Sequence, residues 1–221
     1  MSASADLHLT PELIIHAYRQ GLFPMADAID DPETFWVDPH MRGVMPLDSF
    51  HVPRRLARTI KQTPFDMRIN ADFRQTIEAC RTPAVGRPSS WINDDIVSAY
   101  CKLHTMGYAH SVECWSGSHL VGGLYGVCIA GAFFGESMFS RQTDASKIAL
   151  THLVARLNYA GFVLLDCQFA TDHLARFGLK EITRTAYHAK LQNALARNAD
   201  FHLMPVNLSP EEVLQAVGHK S

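Results

Sequence analysis

A carboxylate, a hydroxyl and a guanidinium lie close together at the end of an otherwise apolar predicted strand. The segment reads Gly135-Glu136-Ser137-Met138-Phe139-Ser140-Arg141, and Ser146 and Lys147 follow at the start of a predicted helix. The exposed backbone N–H groups of a helix N-terminus suit an anion or a ligand carbonyl. An ordinary strand end with a helix cap would look the same, so the segment alone leaves both interpretations open.

A second candidate site lies at the end of a predicted strand from Phe162 to Gln168. The residues of this strand are almost all apolar, which indicates burial on both faces until its end. Asp166 and Gln168 are two residues apart, so on a strand their side chains point to the same face. A buried ionised carboxylate is costly unless it is paired or used. Asp166 is therefore either a functional group or the cap of the next loop.

Three cations are spaced along one face of a short predicted helix. Arg54, Arg58 and Lys61 follow an i, i+4, i+7 pattern, with Leu56 and Ile60 on the opposite face. Such a stripe fits a phosphate backbone. The alternative is a solvated helix face without a partner.

Two tryptophans lie beside predicted loops. Trp36 is in a proline-rich segment, and Trp91 follows a loop predicted over residues 82–90. An indole in such a place either stacks on a nucleobase or fills the core. Trp115 is within a predicted strand, where a core position is favoured.

The order of the predicted elements indicates how these groups are positioned. Residues 22–49 are expected to form an irregular packed segment. From residue 50 onward the pattern predicts a helix, a strand, helices, three antiparallel strands, a long helix over 145–160, the buried strand and two helices. We therefore predict an α+β (mixed α/β) acyltransferase-like domain in residues 50–221 and a small N-terminal lid domain in residues 1–49.

The composition excludes several functional classes. With a formal net charge of −2, the protein needs a local basic patch to bind nucleic acid. We see no apolar run of roughly 18 residues and no secretory signal, so we expect a cytoplasmic protein without a membrane partner. The five scattered cysteines indicate reduced thiols. We predict no metal and no nucleotide cofactor, because no HExxH, paired Cys/His, GxGxxG or P-loop pattern is present.

Several short stretches together resemble the leucyl/phenylalanyl-tRNA–protein transferase family in order and spacing, over roughly residues 6–200. The most specific are GESMFSR (residues 135–141) and Asp166-Cys167-Gln168; the others are AYRQGLFP (17–24), Trp91-Ile92, HSVE (110–113), LVGGLYGV (120–127), DASK (144–147) and Asp172-His173. The chain departs from the family at Met25, where a tryptophan is common, and at Thr171, where an asparagine is usual. In the family both positions are associated with the aminoacyl-adenosine pocket.

The resemblance implies an activity, a fold and partners. Members of the family transfer leucine or phenylalanine from tRNA to proteins that begin with Arg or Lys, and the product is an N-degron, a signal for proteolysis. We therefore expect a GNAT-like acyltransferase domain that uses aminoacyl-tRNA, with methionine as a further donor, and substrate proteins with basic N-termini. We expect a monomer with no DNA partner. No cofactor is expected, because aminoacyl-tRNA is already an activated ester.

Roles follow for the candidate residues. We hypothesise that Asp166 holds or deprotonates the attacking ammonium, that Gln168 orients the amine, and that Glu136 holds the cationic acceptor or shapes the donor pocket. The acceptor-stem phosphates are expected at Arg54, Arg58 and Lys61, and the tRNA 3′ end at Trp91, Trp36 and Thr171.

An apolar donor pocket for the transferred side chain is also implied by the resemblance. The expected lining is Leu124, Phe133, Met138, Leu150, Leu153 and Leu157. The last three are spaced i, i+3, i+7, so one helix face can supply them. The same stripe is equally consistent with ordinary core packing.

Three alternatives remain open from the sequence. The same chemistry could serve acidic N-termini, or the chain could bind tRNA without catalysis. It could also be an N-acyltransferase with another thioester donor, although the ordinary acetyl-CoA loop pattern of GNAT enzymes is absent.

Overall fold

The computed structural model describes residues 9–31, 33–83 and 89–218. Within these ranges the helices are α1 (Pro11–Arg19), α2 (Arg54–Lys61), α3 (Phe73–Arg81), α4 (Asp94–Thr105), α5 (Ala145–Tyr159), α6 (Asp172–Ala175), α7 (Arg184–Leu195) and α8 (Pro210–Ala216). The strands are β1 (Phe23–Met25), β2 (Phe35–Val37), β3 (Met41–Met45), β4 (Asp66–Ile69), β5 (Ala109–Ser116), β6 (His119–Ile129), β7 (Ala132–Ser140), β8 (Leu164–Asp166) and β9 (Lys180–Thr183). None of the described helices is both long and apolar enough to cross a bilayer.

A seven-stranded mixed sheet organises the chain, in the order β4-β5-β6-β7-β8-β3-β9. The predicted run of three antiparallel strands is confirmed as β5, β6 and β7. The long helix α5 connects β7 to β8, and these two strands pair in parallel. The prediction of a mixed α+β fold is confirmed.

The sheet separates two layers of core. α2, α5 and α8 pack on one face, and α1, α3, α4 and α7 contribute buried residues to the other. Leu164 and Leu165 of β8 point into opposite layers, so the prediction that this strand is buried on both faces is confirmed. Trp115 is buried in the second layer, as its position within a strand predicted.

Local polar groups set the helix ends. Thr10 begins α1, because its hydroxyl accepts a hydrogen bond from the backbone N–H of Leu13 at 3.2 Å. Asn93 begins α4 in the same way, through Ile96 at 2.9 Å. Gly21 follows α1 at a φ of +83°, a conformation that favours glycine.

Residues 22–49 are more regular than predicted. β1 and β2 form a small antiparallel sheet, and β3 lies inside the large sheet between β8 and β9. The expectation of an irregular segment is therefore wrong. These strands are difficult to predict from the sequence because they are short and bounded by prolines, and because the buried arginine of β3 is not typical of a strand's apolar pattern. β3 lies on the N-terminal side of the predicted domain boundary at residues 49/50 and is a strand of the main sheet. The loop predicted over 82–90 falls partly outside the described residues.

Candidate active site

A cavity of about 650 Å³ opens at the point where β7 and β8 stop pairing. β8 pairs only with residues 132–134 of β7, so among the described strands nothing covers residues 135–140 on that side. The walls come from β6, β7, the first half of α5 and the loop after β8. Its volume lies within the range of ligand pockets, roughly 300–1,000 Å³.

Glu136 reaches this cavity because it sits in a β-bulge. Tyr125 pairs with Ser137 and Gly126 pairs with Gly135, so Glu136 is an extra residue without a partner on β6. A bulge bends the strand locally and re-aims its side chains. Glu136 is therefore half-buried and lines the cavity.

Two buried phenols and one amide hold the Glu136 carboxyl group. The Tyr18 hydroxyl donates to Oε1 at 2.5 Å, and the Tyr100 hydroxyl lies 3.2 Å from Oε2. Nε2 of Gln168 donates to Oε1 at 2.9 Å. The two phenol oxygens are 2.5 Å apart. Tyr18 and Tyr100 come from α1 and α4 and are completely buried, so this network joins three parts of the chain.

The electrostatics of the network favour protonated groups. Burial raises the pKa of Glu136 from about 4.5 to about 7, and the nearby Asp166 charge adds to this rise. Hydrogen bonds from Tyr18 and Tyr100 and the Arg42 charge oppose it. Burial also raises the pKa of both tyrosines well above the ordinary value, so their hydroxyls remain donors at neutral pH.

Gln168 owes its position to an unusual backbone conformation. Its φ is +57°, in the left-handed region that a non-glycine residue adopts only at a cost. Its N–H donates to Oδ1 of Asp166 at 2.9 Å, and its carbonyl accepts from the N–H of Gly43 at 2.9 Å. A Cβ atom on Gly43 would lie 2.9 Å from the backbone of Phe169, so the close approach of this loop to β3 requires glycine.

Asp166 lies behind the cavity and is fully buried, at 0% exposure. Its two oxygens accept hydrogen bonds from Nε and Nη2 of Arg42 at 2.9 and 2.7 Å, and Oδ2 also accepts from the Tyr187 hydroxyl at 2.8 Å. The Arg42 guanidinium is 1% exposed, donates to the Gly21 carbonyl at 3.0 Å, and stacks 4.4 Å from the ring centroids of both Phe23 and Tyr187.

This geometry corrects the predicted arrangement of Asp166 and Gln168. The expectation that both side chains point to one face of a strand is wrong, because β8 ends at Asp166 and the left-handed Gln168 turns the chain. The expected contact between Asp166 and the attacking ammonium is not supported either. Both carboxylate oxygens are already occupied, and Asp166 does not line the cavity.

Four of the six residues predicted for the donor pocket line the cavity, and two do not. Leu124, Met138, Leu150 and Leu153 line the cavity. Phe133 and Leu157 do not, because both are fully buried in the core layer around α5. Leu157 lies near the far end of α5, whereas the cavity touches the first half of that helix.

Of the three residues predicted for the tRNA 3′ end, two line the cavity and one does not. Trp91 and Thr171 line the cavity, and Thr171 in addition caps α6 through the N–H of Leu174. Trp36 does not line it; this residue lies on β2 and packs against the second core layer.

The predicted face of the basic helix is present on α2. Arg54, Arg58 and Lys61 are exposed, whereas Leu56 and Ile60 are buried in the core layer around α5. This stripe lies outside the cavity lining. In the part of the chain that the structure describes, no group of three or more His, Cys, Asp or Glu side chains is arranged to hold a metal ion.

Sequence reasoning missed four residues of the site: Tyr18, Tyr100, Tyr187 and Arg42. Tyr18 belongs to the AYRQGLFP stretch, so a signal for it existed. Arg42 gave none, because nothing in a single sequence pairs it with a carboxylate 124 positions away.

Comparison with known proteins adds two family models that together span most of the chain. The model of the leucyl/phenylalanyl-tRNA protein transferase matches residues 44–192, and the model of the N-terminal domain of that transferase matches residues 8–40. β3 (Met41–Met45) spans the gap between the two matches, and its last two residues fall within the second.

Relatives are similar over nearly their full length. A leucyl/phenylalanyl-tRNA–protein transferase of Phenylobacterium zucineum (strain HLK1) is 57% identical over 191 residues, which is 86% of each chain. One of Nitrobacter winogradskyi is 50% identical over 220 residues, 99% of this chain and 98% of the relative. One of Maricaulis maris (strain MCS10) is 48% identical over 210 residues, 95% and 97% of the two chains. This chain therefore belongs to the leucyl/phenylalanyl-tRNA protein transferase family.

Proposed function

We propose that the protein transfers leucine or phenylalanine, with methionine as a further donor, from aminoacyl-tRNA to the α-amine of proteins that begin with Arg or Lys. The product would be an N-degron. One observation carries this proposal in a chain of this family: a single cavity has an apolar wall beside a polar floor built from Glu136 and Gln168. The wall suits an apolar aminoacyl side chain, and the floor suits an amine.

The reaction needs positioning more than strong acid or base chemistry. An N–C bond forms at the ester carbonyl carbon while the C–O3′ bond to the terminal ribose breaks. The α-amine has a pKa of about 8, so part of it is neutral near pH 7. Holding two reactants in the correct geometry can contribute several kcal/mol, up to about 7–11.

We propose that Gln168 and Glu136 act on the acceptor amine, and that Asp166 holds Gln168 in position. Gln168 presents its amide at the cavity and orients the amine, while Glu136 faces the cationic acceptor. Asp166 acts through the backbone N–H of Gln168, which it holds at 2.9 Å, and is therefore a positioning residue. This replaces its hypothesised direct contact with the ammonium.

We place the donor along the remaining walls. The transferred side chain packs against Leu124, Met138, Leu150 and Leu153, and the terminal adenosine stacks on Trp91 with Thr171 nearby. Trp36 is outside this cavity, so its part in adenosine binding is indirect. Met25, whose strand β1 pairs with β2 around Trp36, is the other family departure in this region.

We further propose that α2 binds the acceptor stem and that the domain is GNAT-like. Three exposed cations on one face supply the local positive charge that a chain of net charge −2 needs for a phosphate backbone. The GNAT-like architecture is supported by the order of the elements. Antiparallel strands end with β7, α5 follows, and β8 then pairs in parallel with β7 before it separates from that strand. We further expect a cytoplasmic monomer.

The function is tested by offering labelled leucyl-, phenylalanyl- and methionyl-tRNA together with peptides that bear each of the twenty N-terminal residues. We expect transfer to Arg and Lys peptides and little to Asp or Glu peptides. Transfer to acidic peptides would change the acceptor assignment. Tight tRNA binding without transfer to any peptide would contradict the enzymatic function.

The role of α2 is tested by Arg58→Ala. We expect a higher KM for aminoacyl-tRNA and a salt dependence of binding that is reduced by about one unit of log–log slope, because one phosphate contact is lost. Transfer from aminoacyl-adenosine, which lacks the acceptor stem, should stay unchanged. Lys190→Ala, which removes an exposed cation from α7, is the control. Equal losses with both donors would show that α2 is structural.

The donor pocket is tested by comparing Leu153→Ala with Leu157→Ala. Both leucines are buried on α5, but only Leu153 lines the cavity. Enlarging the cavity at Leu153 should shift the kcat/KM ratio toward phenylalanine by about tenfold or more, as methylene-scale changes in apolar pockets do. Leu157→Ala should lower the unfolding free energy by about 2–5 kcal/mol and leave the ratio unchanged. Equal ratios in the two variants would refute this pocket.

A further inference from the structure

Three oxygen–oxygen contacts at the cavity floor form a closed ring. The Tyr18 hydroxyl contacts Oε1 of Glu136 and the Tyr100 hydroxyl, each at 2.5 Å, and the Tyr100 hydroxyl contacts Oε2 at 3.2 Å. Each such contact is a hydrogen bond only if one proton lies in it. Two phenols supply two protons, whereas an ionised carboxylate supplies none. The third contact is therefore satisfied only when Glu136 carries a proton.

The direction of each bond follows from the neighbouring amide. Gln168 donates to Oε1 at 2.9 Å, so Oε1 accepts from both Gln168 and Tyr18 and is the carbonyl-like oxygen. Oε2 then carries the proton and donates to the Tyr100 oxygen. Tyr100 in turn donates to Tyr18. Each of the three groups in this carboxyl–tyrosine ring, formed by Glu136, Tyr18 and Tyr100, then donates once and accepts at least once.

Among the described residues, the two charged side chains that act on Glu136 come from β3 and β8, and their effects oppose each other. Arg42 on β3 and Asp166 on β8 are paired with each other, and Tyr187 on α7 is bonded to that pair. The ring of Tyr125 on β6 packs edge-on against Tyr100, and Gln168 is neutral. Both phenols of the carboxyl–tyrosine ring are shielded from solvent, while Glu136 is half-buried and lines the cavity. Of the three groups in the ring, Glu136 is therefore the one that can exchange a proton with the cavity.

We propose that the carboxyl–tyrosine ring stores one exchangeable proton at the cavity floor, and that Glu136 passes this proton between the reacting nitrogen and the leaving oxygen. The first half rests on geometry alone; the second half rests on the function proposed above. A pKa of Glu136 raised by burial to about 7 agrees with it, because both protonation states are then populated at neutral pH.

The proton balance of the step is closed. With Glu136 ionised, the acceptor amine attacks the ester carbonyl carbon, and its nitrogen gives one proton to Glu136 as the N–C bond forms. The protonated carboxyl group completes the ring. As the C–O3′ bond breaks, Glu136 returns the proton to O3′, which leaves as a hydroxyl group. Tyr18 and Tyr100 remain protonated throughout and act as positioning residues.

The storage of the proton is tested without any substrate, by infrared difference spectra of wild type minus Glu136→Gln between pH 5 and pH 9. We expect a carboxylic-acid C=O band that disappears as the pH rises through about 7. In Tyr100→Phe this band should change frequency, because the acid loses the hydroxyl oxygen that accepts its proton.

The infrared experiment has one control variant and two results that would contradict the carboxyl–tyrosine ring. Glu12→Gln, which removes an exposed carboxylate from the same helix as Tyr18, should leave the Glu136 band and its pH dependence unchanged. Absence of an acid band above pH 5 in wild type, or an unchanged band in Tyr100→Phe, would overturn the ring. Neither result depends on transfer activity, so a wrong function and a wrong ring are distinguishable.

The proton transfer is tested by the kinetics of Glu136→Gln. The glutamine amide can still donate to Tyr100 and accept from Tyr18, so we expect a folded protein that binds donor normally. kcat should fall by about 10²- to 10⁴-fold, a larger effect than the rise in the acceptor KM. A raised acceptor KM with a kcat near wild type would make Glu136 an ionic anchor and refute the transfer.

The Tm of wild type and of Glu136→Gln, measured across a pH series, tests whether the folded protein holds a proton on Glu136. Because the pKa of Glu136 is raised in the folded state, the folded protein binds more protons between about pH 4.5 and 7, and stability falls as the pH rises through that window. The Tm of wild type relative to Glu136→Gln should therefore decrease from pH 5 to pH 8. A constant difference would contradict the stored proton.

Discussion

The ion pair between Arg42 and Asp166 is the contact on which the arrangement of the site depends. Both groups are almost completely removed from solvent, and two isolated buried charges would cost far more free energy than the fold can supply. The pair persists because its remaining hydrogen-bonding positions are filled by Gly21, Tyr187 and the N–H of Gln168. It joins the N-terminal segment, the end of β8 and α7, which are far apart in sequence.

The geometry of the cavity floor follows from this pair. Asp166 accepts from the backbone of Gln168, and this bond, together with the Gly43 contact, offsets the cost of the left-handed conformation. Gln168 then reaches Glu136, which the β-bulge directs toward the same place. The charged pair therefore lies behind the site, away from solvent, and the cavity floor presents a titratable carboxyl group and a neutral amide. This separation of support from chemistry is what a preorganised site requires.

The sequence predicted features that depend on local patterns, and failed where distant residues meet. Thr10 and Asn93 were predictable as helix caps, the strands β5–β7 from their apolar runs, and Glu136 and Gln168 from polar groups at strand ends. The bulge at Glu136 was not predictable, because a register shift depends on which residue of β6 pairs with which residue of β7. β3 was missed because its length and its buried arginine give no alternating pattern. Asp166 was correctly recognised as a costly buried carboxylate, but its partner could be identified only in three dimensions.

The most direct measurement compares Arg42→Met with the double variant Arg42→Met/Asp166→Leu in unfolding and in single-turnover transfer. The single variant leaves a buried carboxylate unpaired and should lose about 3–5 kcal/mol of unfolding free energy. The double variant removes both charges and should recover most of that loss. Its kcat should nevertheless remain at least about tenfold below wild type, because the N–H of Gln168 no longer has its acceptor. A double variant that is stable and transfers at the wild-type rate would contradict the claim that this ion pair positions Gln168.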